Sequence, residues 1–518
     1  MANGSIQPYS TLFNGHQAKS VKVEGRRHSR VNMDGAWGSI QADWRLLLLL
    51  VLLWYILLRT WERNGTLDKW NASRVFGFVL MVRAKYGLKA LEKVAKPRRF
   101  WRFYGEVALW ICVGAMLLMG LLMALGFIGA ILSPPSNTRS PSASELLAIP
   151  GINPMIPLWW GTIAFIVALV IHEFGHGLLA RAHGMRIRAF GLLQLGPLPL
   201  GAFAEPQYEE LHQAPRRERM RMFAAGPATN IFAAFVCLLM LGGLAGQMVS
   251  ATPHPHARGV VVDEGAEEAG MEPWDLILAI NGTEIEGLDD FRDELNLYRA
   301  NDTILMDVEH ANGERETLTV VLGDKYAYYA NEGYTEENLA FLEVSPGDPF
   351  LGVEGLGEGT EGIDRIAGPF SPRFEGGTFA KAVYTPFHML TIMGIPLQLQ
   401  GVSMYPMEES MLSAADDGIG SILGISGLMF LINFFFWLMW VNILLGFANL
   451  IPMVPFDGGH LFKDAVHGTL NTVKRIGKRT KMFNMHPMWI DHISSKTSRM
   501  SSLVLLVMVI FMIGLPFL

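Results

Sequence analysis

Six long apolar runs leave this chain few places to fold except a lipid bilayer. The hydrocarbon core takes about 20 apolar residues in helix, and the runs at 44–61, 106–132, 158–180, 223–248 and 421–452 approach or exceed that length, with a sixth at 501–518 closing the chain. Only 17% of the 518 residues are charged and half are apolar, so the composition places the chain in the membrane class. The expected fold is a polytopic α-helical membrane protein of about six transmembrane helices. The fifth run, at 32 residues, exceeds one straight span. A break near Gly446 and the Asn449 to Pro455 stretch is expected, because Pro452 and Pro455 cannot continue a regular helix.

Charge is divided unevenly along the chain. Residues 251–420 hold 8 Lys and Arg against 32 Asp and Glu, which leaves 34 against 16 for the rest. An acidic soluble block is therefore inserted in a basic membrane scaffold. Loop 59–104 carries twelve basic residues against three acidic, loops 181–222 and 459–500 are also basic, and 133–157 has Arg139 alone. Basic loops stay in the cytoplasm, so the acidic block is expected outside a cell membrane, with both chain ends outside as well. Five basic residues in the polar tail 1–43 argue against that external start. The tail has no signal-peptide apolar core and reads as disordered. A segment at 378–402 is apolar but interrupted by Pro386, His388 and Pro396, and a span there would change the parity of all that follows. Cys112 and Cys237 lie in apolar runs and read as small buried hydrophobes.

The acidic block opens with GVVVDEG at Gly259 to Gly265, continues through Asp275 to Ile285 with an Asn281-Gly282 turn, and alternates polar and apolar residues from Thr303 to Leu322. Strand, tight turn, a short helix at Leu288 to Leu297 and closing strands make a small β-rich domain. Over roughly 251–325 it resembles a PDZ domain. The resemblance implies capture of an extended peptide end by strand addition; a packing domain without a ligand is the other reading. Residues 326–420 read as an acidic connection with a membrane-surface segment.

In the third run, IHEFGHGLLA places His172 and His176 four residues apart, on one helical face, the spacing that lets two imidazoles hold one zinc. Glu173 beside them is the only charged residue from Pro157 to Ala180. A carboxylate in hydrocarbon costs at least about 2.5 kcal/mol, which some function must offset. Next to a zinc-activated water it is suited to act as a general base. A proton or metal pathway would use the same side chains. His172 lies nine residues before Arg181, hence about 13 Å below the cytoplasmic boundary, within reach of water entering through a cavity. A catalytic zinc wants a third protein ligand and an open position. Asp457, in NLIPMVPFDGGH from Asn449 to His460, is the candidate. Its prolines leave irregular backbone that only a protein-lined cavity tolerates at membrane depth, and Gly458 and Gly459 permit close backbone approach.

HEFGH in one span, AAGPATN at Ala224 to Asn230 opening the next, a PDZ-like insertion and NLIPMVPFDGG together resemble the site-2 protease family of intramembrane zinc metalloproteases, peptidase family M50. The resemblance covers about 158–518. It implies His172, His176 and Asp457 as ligands of one zinc ion and Glu173 as the base. Asn230 and Asn449 match positions that support the substrate backbone or the developing oxyanion, although interhelical hydrogen bonding would also account for two asparagines. Phe456 stands where the family's last motif usually has Leu, a change in packing and not in ligation. The segment GLLQLGPLPLGAFAEP, Gly191 to Pro206, resembles the family's re-entrant β-hairpin, whose free edge can satisfy backbone groups released when a substrate helix unwinds; a loop resting on the lipid surface is the alternative. His460 reads as a solvated loop histidine.

The expected function is zinc-dependent cleavage within or near transmembrane segments of single-span membrane proteins, with the outer domain filtering substrates by size. The alternatives are a membrane ion or metal transporter using the intramembrane His and Glu, and a non-catalytic sensor binding peptides through its PDZ-like domain. The basic stretch Lys474 to Lys481 beside a span marks a cytoplasmic face, so no nucleic-acid partner is expected.

Overall fold

The computed structural model describes residues 21–22, 44–84, 87–132, 142–146, 148–196, 198–482 and 484–515. The rest of the tail 1–43, read from sequence as disordered, lies outside the described residues. The chain divides into two compact units, one of residues 40–245, 366–403 and 427–518 and the other of 1–39, 246–365 and 404–426.

The first unit is built on helices. Among the described residues five are long and apolar enough to cross a membrane: α2 (Arg98–Leu132), α3 (Leu158–Ala182), α4 (Arg216–Ala245), α5 (Gly418–Asn449) and α7 (Pro487–Gly514). The chain is therefore a multi-pass membrane protein. The N-terminal apolar run folds as a helix too, α1 (Trp44–Arg63). α6 (Asp457–Arg479) is amphipathic and follows α5 after an irregular turn. Leu117, Leu121, Leu125 and Leu132 of α2 are exposed, an arrangement that is stable only where lipid replaces water.

Small residues let the central helices pack closely. A Cβ on Gly175 of α3 would stand 2.5 Å from Thr229 Oγ1 and 2.8 Å from the Ala225 carbonyl of α4. Cys112 of α2 donates to the Ala224 carbonyl of α4 at 3.3 Å, and Tyr104 of α2 shares a hydrogen bond with Thr229 at 3.0 Å. Cys112 and Cys237 are both buried and free.

The fifth apolar run breaks over the Asn449 to Pro455 stretch, as expected, but not at Gly446. Gly446 stays helical and α5 ends at Asn449, followed by turns up to the prolines, while a separate interruption falls at Gly424 (φ 61°, ψ 177°). Positive φ there favours glycine. The segment 378–402 forms a helix of 14 residues, Thr378–Thr391, and two shorter turns. The 3-10 turn Ile392–Gly394 and the short helix Ile395–Gln398 follow it without a break.

The unit also holds an antiparallel sheet of four strands, β1 (Ala72–Val75), β2 (Val79–Ala84), β3 (Ile187–Leu195) and β4 (Leu198–Pro206), in that order. The segment compared above with a re-entrant hairpin is thus a β-hairpin, β3–β4, extended by β1–β2 from the basic loop. Gly191 of β3 lies under the ring of Phe203 on β4, where any Cβ would collide with it. Arg83 of β2 reaches across to Glu205 of β4 at 3.3 Å.

The second unit is β-rich. Strands β5 (His256–Val261), β6 (Leu276–Ile280), β7 (Thr303–Glu309), β8 (Arg315–Val321) and β9 (Val353–Gly357) form an antiparallel sheet, with β9 on β5 and β7 between β6 and β8. The two residues Val21–Lys22 pair with Val260 and Val261. Period-two alternation buries Ile304, Met306 and Val308 of β7 against Leu318 and Val320 of β8, with Phe291 of the helix Leu288–Leu295 in the same core. Asn281 and Gly282 turn the chain with φ of 48° and 84°, the conformation of a two-residue hairpin turn.

Candidate metal centre

α3 places His172 and His176 one turn apart, as their spacing demands. The irregular turn after α5 brings Asp457, first residue of α6, to the same point. His172 Nε2, His176 Nε2 and Asp457 Oδ2 form a triangle with all three sides at 3.2 Å. Four ligand atoms set tetrahedrally about 2.05 Å from one zinc ion stand roughly 3.3 Å apart, so the triangle has the size of one face of such a shell. Two nitrogens and a carboxylate oxygen that converge in a protein interior call for a metal cation or shared protons among them.

The surroundings fit the same ion. His176 Nδ1 lies 2.8 Å from the Met222 carbonyl; an N–H there turns the Nε2 lone pair toward the triangle, the usual second contact of a metal-binding histidine. His172 Nδ1 is buried without a partner. Gly226 of α4 faces the pair so closely that a Cβ would lie 2.4 Å from His176 Nε2 and 2.8 Å from His172 Nε2. The donor set and the cradle around it suit zinc.

The turn carrying Asp457 is packed against backbone. A Cβ on Gly458 would lie 2.4 Å from the Leu450 carbonyl, and one on Gly459 would lie 2.5 Å from Val454 N. Three serines of α7 hold the turn: Ser502 accepts from Val454 N at 3.0 Å, Ser501 donates to the Pro452 carbonyl at 3.1 Å, and Ser498 donates to that of Gly459 at 3.5 Å.

Glu173 points to the sheet, where its Oε2 accepts the Ala204 N–H of β4 at 2.6 Å. Asn230 is fully buried, donates to the Ala168 carbonyl at 3.4 Å and leaves its Oδ1 without a partner. Asn449 spends its amide on Leu445, one turn back in its own helix, at 3.0 Å. His460, read above as a loop histidine, lies in α6 and stacks on Phe223 at 4.8 Å. The Met222 carbonyl, Gly226 and the Ala204 N–H went unpredicted; of these only Gly226 carried a signal, as the glycine of AAGPATN.

The model of peptidase family M50 matches residues 160–488, well over half of the chain. The chain belongs to peptidase family M50. An uncharacterized protein of Methanocaldococcus jannaschii is 29% identical over 310 residues, 57% of this chain and 79% of that protein. Proteins of Mesorhizobium japonicum and Campylobacter jejuni, both bearing the name putative zinc metalloprotease, are each 24% identical, over 57% and 58% of this chain and 84% and 80% of their own lengths. The matched M50 region contains the whole triangle, Glu173 and both asparagines. Membership makes the chain a metalloprotease.

Proposed function

We propose that this chain is a zinc-dependent intramembrane endopeptidase that cleaves transmembrane segments of single-span membrane proteins. The observation that carries the reading is the 3.2 Å triangle of His172, His176 and Asp457, joined to Glu173 inside one apolar helix. His172, His176 and Asp457 hold the zinc. The ion, when bound, supplies a Lewis acid that polarises the scissile carbonyl and acidifies the attacking water.

The protein's own groups do the rest. Glu173 takes the proton of the attacking water on a carboxylate oxygen and delivers it to the leaving amide nitrogen. A helical substrate hides its amides in i→i−4 hydrogen bonds, so it has to unwind locally. The free edge of β4 then pairs with the extended stretch, which keeps its backbone groups satisfied at membrane depth. Asn230 and Asn449 support the substrate backbone or the oxyanion; the free carboxamide oxygen of Asn230 can accept a substrate N–H, and either side-chain NH2 reaches an oxyanion by leaving its present carbonyl partner, Ala168 or Leu445.

By the distribution of basic loops, α1 is a sixth span, the zinc site opens toward the cytoplasm and the β-rich unit faces outward. The fold of that unit around the Asn281-Gly282 turn supports a PDZ-like domain at 251–325 with a peptide end as its ligand. Cleavage of single-span substrates in liposomes, with bound zinc measured on the same preparations, tests the activity. Glu173→Gln is expected to keep its zinc and lose cleavage; undiminished cleavage would remove Glu173 from the mechanism.

A further inference from the structure

The general base and the substrate-docking edge share a hydrogen bond. Ala204 lies opposite Phe190 in the β3–β4 ladder, yet its N–H is donated at 2.6 Å to Glu173 Oε2 on α3. In an antiparallel ladder the N–H and C=O of one residue point to the same side. Ala204 therefore turns both groups away from β3, toward the edge that has no strand neighbour among the described residues. Ala202, two residues earlier in unbroken register, turns its groups the same way. Glu173 thus occupies, at Ala204, the position a carbonyl of an added strand would take.

We infer that Ala204 is a positioning residue for Glu173 and that this contact ends the docking edge. Its backbone N–H holds the base carboxylate, and an added substrate strand pairs only with the stretch from Leu198 to Ala202. This inference rests on the protease reading above. A substrate strand running along β4 must leave the ladder beyond Ala202, where its next amide comes beside Glu173, and the register of cleavage follows from the place where the edge is capped.

The strand is fixed firmly enough to serve as a reference for the base. Phe203, next to Ala204, covers Gly191 on β3, and Glu205 on the other side is tied by Arg83, which also donates to Ser73 Oγ of β1 at 3.1 Å. A carboxylate on a flexible side chain gains a single orientation from one short N–H contact to such a strand. Groups that orient a catalytic residue in this way are worth roughly ten- to a hundredfold in activity.

The N–H can be removed without altering the side chain's role. An ester in place of the amide at residue 204, made by incorporating lactic acid, deletes the donor and keeps the methyl group. Ala204→Pro deletes it in a second way, and proline is accepted on an edge strand whose N–H faces outward, as Pro206 already is. Cleavage kinetics of the full chain in liposomes should show kcat reduced roughly tenfold or more, with KM and bound zinc unchanged. Ala202→Pro, which removes a donor left to the substrate, should raise KM and spare kcat. Wild-type kcat in the ester variant overturns the inference. So does a rise in KM alone in the ester variant, since the N–H would then serve docking and not the base. A wild-type protein that cleaves nothing would instead sink the protease reading itself.

Discussion

Gly226 and His176 stand so close that a β-carbon on the glycine would lie 2.4 Å from the imidazole Nε2. Real Cβ atoms do not approach so near, so α4 can pass His172 and His176 only with glycine at this point. Gly226→Ala is expected to push His176 out of the triangle while costing the helix nothing in propensity, since alanine is the better helix former. Zinc measured by mass spectrometry should fall well below one per chain, and cleavage should fall with it. Full zinc occupancy in Gly226→Ala would show that α4 can move back to admit a methyl group.

Removal of the metal should loosen the unit that holds it. A ligand bound only by the folded state stabilises it in proportion to the logarithm of its concentration over Kd. Chelation is therefore expected to lower the thermal midpoint of the wild-type protein in detergent. His172→Ala and His176→Ala should start from a lower midpoint and respond to the chelator little. The comparison is read by intrinsic fluorescence during heating.

In the β-rich unit, Glu408 is 2% exposed and forms a two-pronged ion pair with Arg365 at 2.7 and 2.9 Å. Arg258 and Glu361 form a second pair nearby at 3.0 Å. Removing one partner leaves a buried charge uncompensated, at a cost of about 3–5 kcal/mol. Glu408→Gln should accordingly destabilise this unit and raise hydrogen exchange in β5 and β9, whereas exchange in α3 and α4 stays as in the wild type.

Histidine 256 gives the same unit a pH dependence. It is 1% exposed, stacks on Trp274 at 5.4 Å and has no hydrogen-bond partner on either ring nitrogen. Burial, with Arg258 adding to it, pushes its pKa down to about 4. The folded state then holds fewer protons than the unfolded state between pH 4 and about 6.5. Stability linked to His256 is therefore complete above about pH 6.5 and is lost as pH falls toward 4, by up to about 3 kcal/mol. His256→Phe keeps the stack and removes the titration. Protection of β5 and β6 from hydrogen exchange, corrected for the intrinsic pH dependence, should weaken with acid in the wild type and do so less in the variant.

How far the fold and site were legible depended on whether the information was local. The i,i+4 pair His172 and His176 sits on one helix, and helical periodicity alone puts both rings on one face. The apolar runs became helices because a helix satisfies all its backbone groups within one segment in lipid. Asp457 is 281 residues from His176, and only the type of its motif linked the two. Gly226 and the Met222 carbonyl act through the packing of α4 on α3, a distance no sequence pattern reports. The interruption at Gly424 also escaped notice, since a lone glycine in an apolar run is ordinarily compatible with helix. Likewise the apolar look of 378–402 did not reveal that its longest helix has 14 residues. Ala204 carried no signal at all, because the group that matters is its backbone.

In the proposed site two histidines of α3 and the aspartate opening α6 hold one zinc ion. X-ray absorption at the zinc edge of the purified protein, compared with Asp457→Ala, tests it most directly. Two imidazole nitrogens and at least one oxygen are expected at about 2.0–2.2 Å, with no sulfur, and the variant should lose the metal or a carboxylate oxygen. A sulfur ligand, or a spectrum and zinc content unchanged by Asp457→Ala, would contradict it.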